Sequence, residues 1–322
     1  MRGLHLLISL PVRREQLLDL ARSAAPHLVT MIRRGDPLAA APGLAAVVCE
    51  CLGIARQRDW PVAPLTARAD GLDASGGYWL RADPVHLEAG MGGLMLRPPG
   101  ELEINGAEAA ALAAAINEAW RARGTDGLEL LAPRPGRWYL RLPSPPDLET
   151  TSPDLLVGEY LTPHLPRGVA AAALAREVNE AQMVLHDHPV NQAREARGLL
   201  AVNGLWLWGG GVSPRVSPGI GLLASALDDD GAALARAAGV AHIAAPARQG
   251  DFAAAGETLA ILAPGRDDHD LRDYLAGLER DWLAPLFRNL VLGRLRRLHM
   301  HLLTRPASSH VLHTAQAWRF WR

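Results

Sequence analysis

One apolar segment constrains the fold of this chain more than any other. Leu205-Trp206-Leu207-Trp208 carries large apolar side chains at consecutive positions and leads directly into Gly209-Gly210-Gly211. A strand places alternate side chains on opposite faces of its sheet, so a strand that is apolar throughout has both faces buried. The segment therefore predicts a central strand in a sheet that other elements cover on each side.

The rest of the chain alternates between strand-like and helix-like segments. The predicted strands are 4–10, 78–87, 94–96, 128–131, 138–142, 242–245, 258–262 and 298–303, and the predicted helices are 15–34, 43–51, 106–123, 169–185, 231–239 and 271–286. Pro26 is expected to break or kink the first helix, because proline has no N–H to donate. Alternation of this kind is typical of an α/β sheet with helices on its faces.

Composition excludes several classes of function. A formal net charge of -1 argues against a nucleic-acid platform, which needs a basic surface. No apolar run reaches the roughly 18 residues that span a bilayer, and the first apolar run is too short to resemble a signal peptide. All 33 basic residues are arginine, which excludes a Walker-type Gly-Lys loop and a lysine Schiff base. We expect a cytoplasmic protein without nucleic-acid or membrane partners.

Polar side chains precede the glycine-rich segment. His188, Asn191 and Arg194 come before the predicted strand, and Asn203 stands at its start. Glycines allow backbone N–H groups to approach a ligand closely, because no Cβ blocks the way. The pattern predicts a ligand site in which these side chains and the three glycines hold a small anionic metabolite. The alternative is a buried strand followed by a surface turn.

A second polar group lies at the end of the predicted strand 78–87. Arg81, Asp83 and His86 place a cation, an acid and an imidazole close together in sequence. They can hold an anionic ligand, or a metal ion through Asp83 and His86. A salt-linked turn ahead of Pro84 is the alternative interpretation.

A third polar group lies on the predicted strand 138–142 and the residue before it. Arg137, Tyr139 and Arg141 share one strand face, and two arginines on one face can clamp a phosphate or carboxylate. Arg141 is therefore a candidate ligand-binding residue. An ordinary amphipathic strand explains the pattern equally well.

A possible metal cluster lies near the C-terminal third of the chain. Asp267, Asp268, His269 and Asp270 carry carboxylate and imidazole groups, which suit divalent ions. They also precede a predicted helix, where acids act as caps and favour the helix dipole. We favour capping and expect no cofactor.

Several blocks of the sequence together resemble the RpfE-type regulatory proteins of proteobacteria. These blocks are 79–87, 137–140, 179–183, 188–191 with Arg194, and 205–211. The order of the blocks is also distantly similar to archaeal-type cofactor-independent phosphoglycerate mutases of the alkaline phosphatase superfamily. This resemblance implies an alkaline-phosphatase-like α/β core sheet with helices on both faces, formed by 1–77 and 186–322. It also implies a smaller inserted α+β domain at 78–185.

The departures from that superfamily bear on mechanism. Its enzymes hold two divalent ions with Asp and His ligands and transfer phosphoryl through a Ser or Thr. Here the first Asp is missing at Ser9 to Pro11, only Ser23 offers a hydroxyl shortly before Pro26, and the strand 259–263 carries no histidine. The resemblance therefore implies a catalytically silent relative that keeps an anion-binding cleft.

Three functions remain as hypotheses. The first is a regulatory or ligand-sensing protein that binds a phosphorylated or carboxylated metabolite. The second is an active phosphoglycerate mutase or phosphatase with Mn or Zn held by the cluster Asp267 to Asp270. The third is a structural partner protein that docks or self-associates through the Trp-rich C-terminus, 317–321.

Overall fold

The chain divides into two compact units, and the second is inserted into the first. Unit 1 comprises Met1–Gly53 and Val216–Arg322, and unit 2 comprises Ile54–Arg215. The computed structural model describes residues 3–41, 43–125, 127–156, 158–225, 229–251, 256–264 and 270–318.

Strands and helices of the described residues are numbered in chain order. The strands are β1 (Gly3–Arg13), β2 (Asp36–Leu38), β3 (Tyr78–Val85), β4 (Leu87–Gly90), β5 (Gly93–Leu96), β6 (Glu129–Arg134), β7 (Arg137–Leu142), β8 (Gly204–Gly211), β9 (Leu222–Ser225), β10 (Ala241–Ala244), β11 (Glu257–Leu262), β12 (Arg297–Arg305) and β13 (Ser308–His313). The α-helices are α1 (Arg14–Ala24), α2 (Pro26–Arg34), α3 (Leu44–Cys51), α4 (Val62–Ala69), α5 (Gly106–Ala122), α6 (Ala171–His186), α7 (Pro189–Ala196), α8 (Asp229–Ala238), α9 (Leu271–Leu278), α10 (Ala284–Val291) and α11 (Thr314–Ala317). A π-helical turn, Glu279–Leu283, joins α9 to α10.

Unit 1 is built on a seven-stranded sheet in the order β10-β9-β11-β1-β12-β13-β2. The first five strands of this order run parallel to one another. β13 and β2 extend one edge through antiparallel pairs. Parallel neighbours need crossover connections, which the helices supply. The predicted mixed α/β class is confirmed.

The two faces of this sheet have different linings. Leu6 and Ile8 of β1 and Met300 of β12 are buried in one core with residues of α1, α2, α9 and α10. We call this side of the sheet the α1 face. Alternate residues point the other way, and there a Cβ on Gly231 of α8 would lie 3.5 Å from Leu223 of β9. Helices therefore cover both faces, and we call the second side the α8 face.

Helix boundaries follow local sequence signals. α1 ends at Ala24 and α2 begins at Pro26, which confirms the predicted break. α5 begins with a capping box, in which Asn105 accepts from the backbone of Glu108 and the Glu108 side chain accepts from the backbone of Asn105. Among the described residues, no helix is long and apolar enough to cross a bilayer.

Unit 2 contains a four-stranded antiparallel sheet in the order β6-β7-β3-β8. Leu80, Leu140 and Leu207 lie in a core with residues of α5 and α6 on one face. Trp79 and Tyr139 pack with residues of α4 on the other. β8 is buried throughout, as its sequence predicts, but in the described pairing it is an edge strand that bonds to β3 alone. The prediction of a central strand is wrong. α4 and α6 pack against β8 and bury its two faces, although the strand has a hydrogen-bonded neighbour on one side only.

The observed units differ from the predicted division of the chain. Residues 54–77 and 186–215, which the sequence analysis assigned to the core domain, belong to unit 2. The reason is that β8 pairs with β3 and α4 packs against both of these strands. The two units are consequently of nearly equal length, and the insert is not the smaller part.

Candidate functional site

Arg81 and Asp83, both predicted to bind ligand, pair with each other on β3. Arg81 donates from Nε and Nη2 to the two Asp83 carboxylate oxygens, at 2.9 Å each. Trp208 Nε1 donates to Asp83 Oδ2 at 2.7 Å, and the Arg81 guanidinium lies 5.0 Å from the centroid of the Trp208 ring. Arg81 is only 3% exposed. The structure thus gives this arginine a buried, bidentate partner within the protein.

Arg137 and Tyr139 of β7 bind Asp70. Arg137 donates to the Asp70 carboxylate at 2.8 and 2.5 Å, and the Tyr139 hydroxyl donates at 2.7 Å. Burial alone would raise the pKa of Asp70, but these hydrogen bonds and the charges of Arg137 and Arg134 outweigh it and lower the pKa. Asp70 therefore stays ionised and holds the Arg137 and Tyr139 side chains of β7 in place.

Arg141 is the most accessible arginine of the predicted ligand set. Its side chain is 51% exposed and lies 3.7 Å from Glu129, with the guanidinium 5.9 Å from the centroid of the Trp79 ring. Trp79 and Arg141 are paired across β3 and β7, and so are Arg81 and Tyr139. Arg81 and Arg141 therefore share a sheet face, as the ligand-clamp hypothesis requires.

Arg194 is fully buried among protein acceptors. Its Nε donates to Leu200 O at 2.9 Å, Nη1 donates to Glu108 Oε2 at 2.6 Å, and Nη2 donates to Leu102 O. Asn191 is similarly engaged, since its Nδ2 donates to two backbone carbonyls and its Oδ1 accepts from Val202 N at 2.9 Å. These contacts tie α7 to the surrounding loops and favour structural roles.

The other polar residues of the predicted site are also bound internally. The Asn203 amide exchanges hydrogen bonds of 2.6 and 2.9 Å with the Leu87 backbone, and His86 Nδ1 lies 2.8 Å from Ala201 O. His188 caps α7 by accepting from Val190 N at 3.2 Å. Ligand binding by this set stays a prediction.

The three glycines of β8 give room to neighbouring parts of unit 2. Gly209 has a φ of +66°, and a Cβ there would lie 3.2 Å from Val62 Cβ. A Cβ on Gly211 would lie 2.5 Å from Pro61 Cβ. α4 and Pro61, the residue before it, therefore occupy the space that side chains on Gly209 and Gly211 would fill.

The predicted metal cluster falls largely outside the described residues. Asp267, Asp268 and His269 lie there, while Asp270 caps α9 through a 2.7 Å hydrogen bond from Arg272 N. Within the described ranges, no group of three or more His, Cys, Asp or Glu residues can hold a metal ion. Ser9, Ser225 and Thr304 stand instead near the carboxyl ends of three parallel strands. The described donors do not fit a two-metal centre.

A stack of histidines lies on the α8 face of unit 1. The His5 and His299 rings are stacked, with centroids 4.4 Å apart and ring planes at 11° to each other, and His5 Nδ1 lies 3.4 Å from His301 Nε2. Burial, followed by the neighbouring imidazoles, lowers the pKa of each of the three to about 4. Sequence spacing gave no sign of this stack, because parallel pairing of β1 with β12 creates it.

A polar group that the sequence analysis missed lies near the carboxyl end of the parallel strands. It consists of Arg14, Ser308 and His310, which we call the carboxyl-end group. Ser308 pairs with Leu302, and His310 pairs with Met300, so both side chains lie on the α1 face. His310 is 6% exposed and Ser308 is 9% exposed.

The carboxyl-end group has unsatisfied hydrogen-bonding atoms. Both ring nitrogens of His310, the Ser308 hydroxyl and Arg14 Nε are buried and have no hydrogen-bond partner among the described residues. Burial, and then the charge of Arg14, lowers the pKa of His310. Arg14 therefore acts on His310 although the two lie at opposite ends of the sequence.

Comparison with known proteins gives a distant similarity to one class of enzyme. No family profile matches the chain. A probable 2,3-bisphosphoglycerate-independent phosphoglycerate mutase of Geobacter sulfurreducens is 28% identical over 211 residues, which cover 62% of this chain and 51% of that protein. A 2,3-bisphosphoglycerate-independent phosphoglycerate mutase of Methanothrix thermoacetophila is 40% identical over 70 residues, covering 22% of this chain and 18% of that protein. The chain is distantly similar to cofactor-independent phosphoglycerate mutases and spans about half the length of the first of these relatives.

Two solved structures cover most of the chain at low identity. The cofactor-independent phosphoglycerate mutase from Thermoplasma acidophilum has a TM-score of 0.40 and 18% identity, covering 96% of this chain and 89% of that one. A protein from Pyrococcus horikoshii has a TM-score of 0.46 and 16% identity, covering 97% of this chain and 87% of that one.

Proposed function

We propose that this protein is a non-catalytic regulatory or ligand-sensing protein that binds a small phosphorylated or carboxylated metabolite. The observation that carries the proposal is the carboxyl-end group of unit 1. In open α/β sheets, ligands bind outside the carboxyl ends of the strands. Here that end of the sheet offers the Arg14 guanidinium and the Ser308 hydroxyl, and the His310 imidazole lies two residues further along β13. Each of these groups has a buried atom without a hydrogen-bond partner among the described residues.

The charge of this group favours an anion over a metal ion. Arg14 carries a permanent positive charge, and after burial this charge is the second cause that lowers the pKa of His310. The same charge attracts a phosphate or carboxylate and repels a divalent cation. Binding without metal-assisted phosphoryl transfer is the chemistry that these side chains support.

The identity of the first ligand to test comes from the similar proteins. Their names give phosphoglycerate as the molecule on which they act, so we propose phosphoglycerates as the first candidates. The regulatory part of the proposal follows the resemblance to RpfE-type proteins, and a small anionic metabolite is the proposed partner.

Calorimetric titration tests the proposed function. We expect saturable binding of a phosphorylated three-carbon acid from a panel that also includes nucleotides. Glycerol is the matched uncharged control and should give no heat of binding, because it lacks the anionic group. A panel without any saturable binding would contradict the proposal.

A further inference from the structure

We infer that this protein forms a homodimer with two-fold symmetry, in which β10 of one copy pairs antiparallel with β10 of the other. The partner at this edge of the unit 1 sheet is therefore a second copy of the same chain, and the two seven-stranded sheets become continuous. The inference concerns assembly and does not depend on the proposed binding of a metabolite.

The edge at β10 is open to a further strand. Among the described strands, β10 has a single neighbour, β9. Ala241, Ile243 and Ala244 are exposed, and none of the four residues of β10 is Pro, Lys, Arg, Asp or Glu. Natural edge strands use proline and charged residues to prevent further pairing. The opposite edge strand, β2, carries both kinds in Asp36 and Pro37, so β10 is the unprotected edge of this sheet.

The backbone of β10 directs two of its residues to the open edge. Ala245 N donates to Ser225 O of β9 at 2.9 Å, and the backbone groups of alternate residues point to the same side of a strand. Ile243 therefore also bonds to β9, whereas the N–H and C=O groups of His242 and Ala244 point away from it. These groups form no hydrogen bond to another described residue. Two donors and two acceptors are available to a second chain.

This arrangement is complementary to itself about a two-fold axis at Ile243. In an antiparallel pair, residue pairs that exchange two hydrogen bonds alternate with pairs that exchange none. With the two copies of Ile243 opposite each other, His242 of each copy lies opposite Ala244 of the other. The outward groups then form four hydrogen bonds, and none is left over. The interface is closed, because each copy uses its one open edge.

The side chain of Ile243 adds apolar contact to this pairing. It is 42% exposed, and it lies on the α1 face because Ile243 pairs with Ala224 and Ala224 pairs with Ala260. Ile243 also falls at a pair without hydrogen bonds, where opposed side chains are closest. The two isoleucines therefore cover each other. Four-residue pairing buries little area, so we expect a weak dimer whose population rises with protein concentration.

Sedimentation velocity over a range of protein concentrations tests the inference. The parent protein should show a reversible monomer–dimer equilibrium. Ile243→Lys should abolish it, because two like charges would lie directly opposite each other. Ala244→Pro should weaken it ~10-fold or more, because each dimer loses two N–H donors while the bonds to β9 remain. Leu38→Lys is the matched control, at a 40% exposed position of β2, and should associate like the parent protein.

A mixing experiment tests the antiparallel register. Ile243→Lys and Ile243→Glu should each be monomeric alone, since each opposes like charges at the two-fold axis. An equimolar mixture of the two variants should associate, because the axis then brings opposite charges together. Leu38→Lys mixed with Leu38→Glu should behave like the parent protein.

Thermal unfolding of the variants at low concentration separates loss of the interface from loss of the fold. Ile243→Lys should melt close to the parent protein, because lysine is well tolerated on exposed edge strands. A parent protein that is monomeric at every concentration would overturn the inference. So would a dimer that persists in both Ile243→Lys and Ala244→Pro, since its interface would lie elsewhere. A mixture of Ile243→Lys and Ile243→Glu that stays monomeric would overturn the proposed register.

Discussion

Replacing Arg194 by alanine is expected to lower the free energy of unfolding by about 3–5 kcal/mol, the usual result of breaking a buried ion pair. Arg194 is fully buried, and its guanidinium donates to Glu108 and to backbone carbonyls of two loops. Its removal takes the guanidinium donors from two backbone carbonyls, leaves Glu108 with only the Asn105 N–H and the exposed Arg197 as donors, and opens a cavity where the side chain lay. Chemical denaturation of the purified variant measures the loss.

Arg197→Ala is the matched control for this prediction. Arg197 donates to the same carboxylate, at 2.7 Å from Glu108 Oε1, but its side chain is 55% exposed. Exposed ion pairs contribute about 0–1 kcal/mol, so this variant should remain close to the parent protein. If Arg194→Ala kept its stability and instead lost metabolite binding, Arg194 would be a ligand-binding residue, as its sequence context predicts.

Acid is expected to destabilise the protein steeply between pH 6.5 and about 4. The pKa of His5, His299 and His301 falls from 6.5 to about 4 in the folded protein. Across this window the unfolded chain binds protons that the folded chain does not, so stability is complete above pH 6.5 and is lost as the pH falls. The loss is roughly 3 kcal/mol for the buried His301 taken alone. His5 and His299 add less than this each, because they are more exposed and the titrations are coupled.

Denaturation curves at a series of pH values measure this effect. The positive charge of Arg297 strengthens the penalty for protonating His5 and His299. His299→Gln should flatten the pH dependence, because it removes one titrating ring and one neighbour from the others. His186→Gln, at an exposed position of α6, is the control and should retain the slope. A pH dependence that is unchanged in His299→Gln would contradict the account.

The sequence predicts the elements of the fold better than their arrangement. The apolar period of α5, the break at Pro26 and the alternation of strands with helices are local signals, and the structure follows them. β13 was missed because its Ser- and His-rich sequence lacks an apolar period. The domain boundaries were displaced because the pairing of β8 with β3 is a long-range choice that local patterns do not encode.

The partners of the polar residues were still harder to predict. Arg81 and Arg194 are typical of anion sites in sequence, yet both bind acidic groups of this chain. The carboxyl-end group was missed because Arg14 follows β1 whereas Ser308 and His310 lie on β13, and only the order of strands in the sheet relates the two segments. No spacing in the sequence connects them.

The most direct test of the central claim is the conversion of 3-phosphoglycerate in the presence of Mn, followed by phosphorus NMR after the metal has been chelated. We predict that 3-phosphoglycerate, the substrate, remains the only phosphorus resonance, with neither 2-phosphoglycerate nor inorganic phosphate formed in proportion to the protein. Appearance of either resonance, in proportion to the protein and abolished when chelator is present from the start, would contradict it. The chain would then be an enzyme whose metal ligands include residues outside the described ranges.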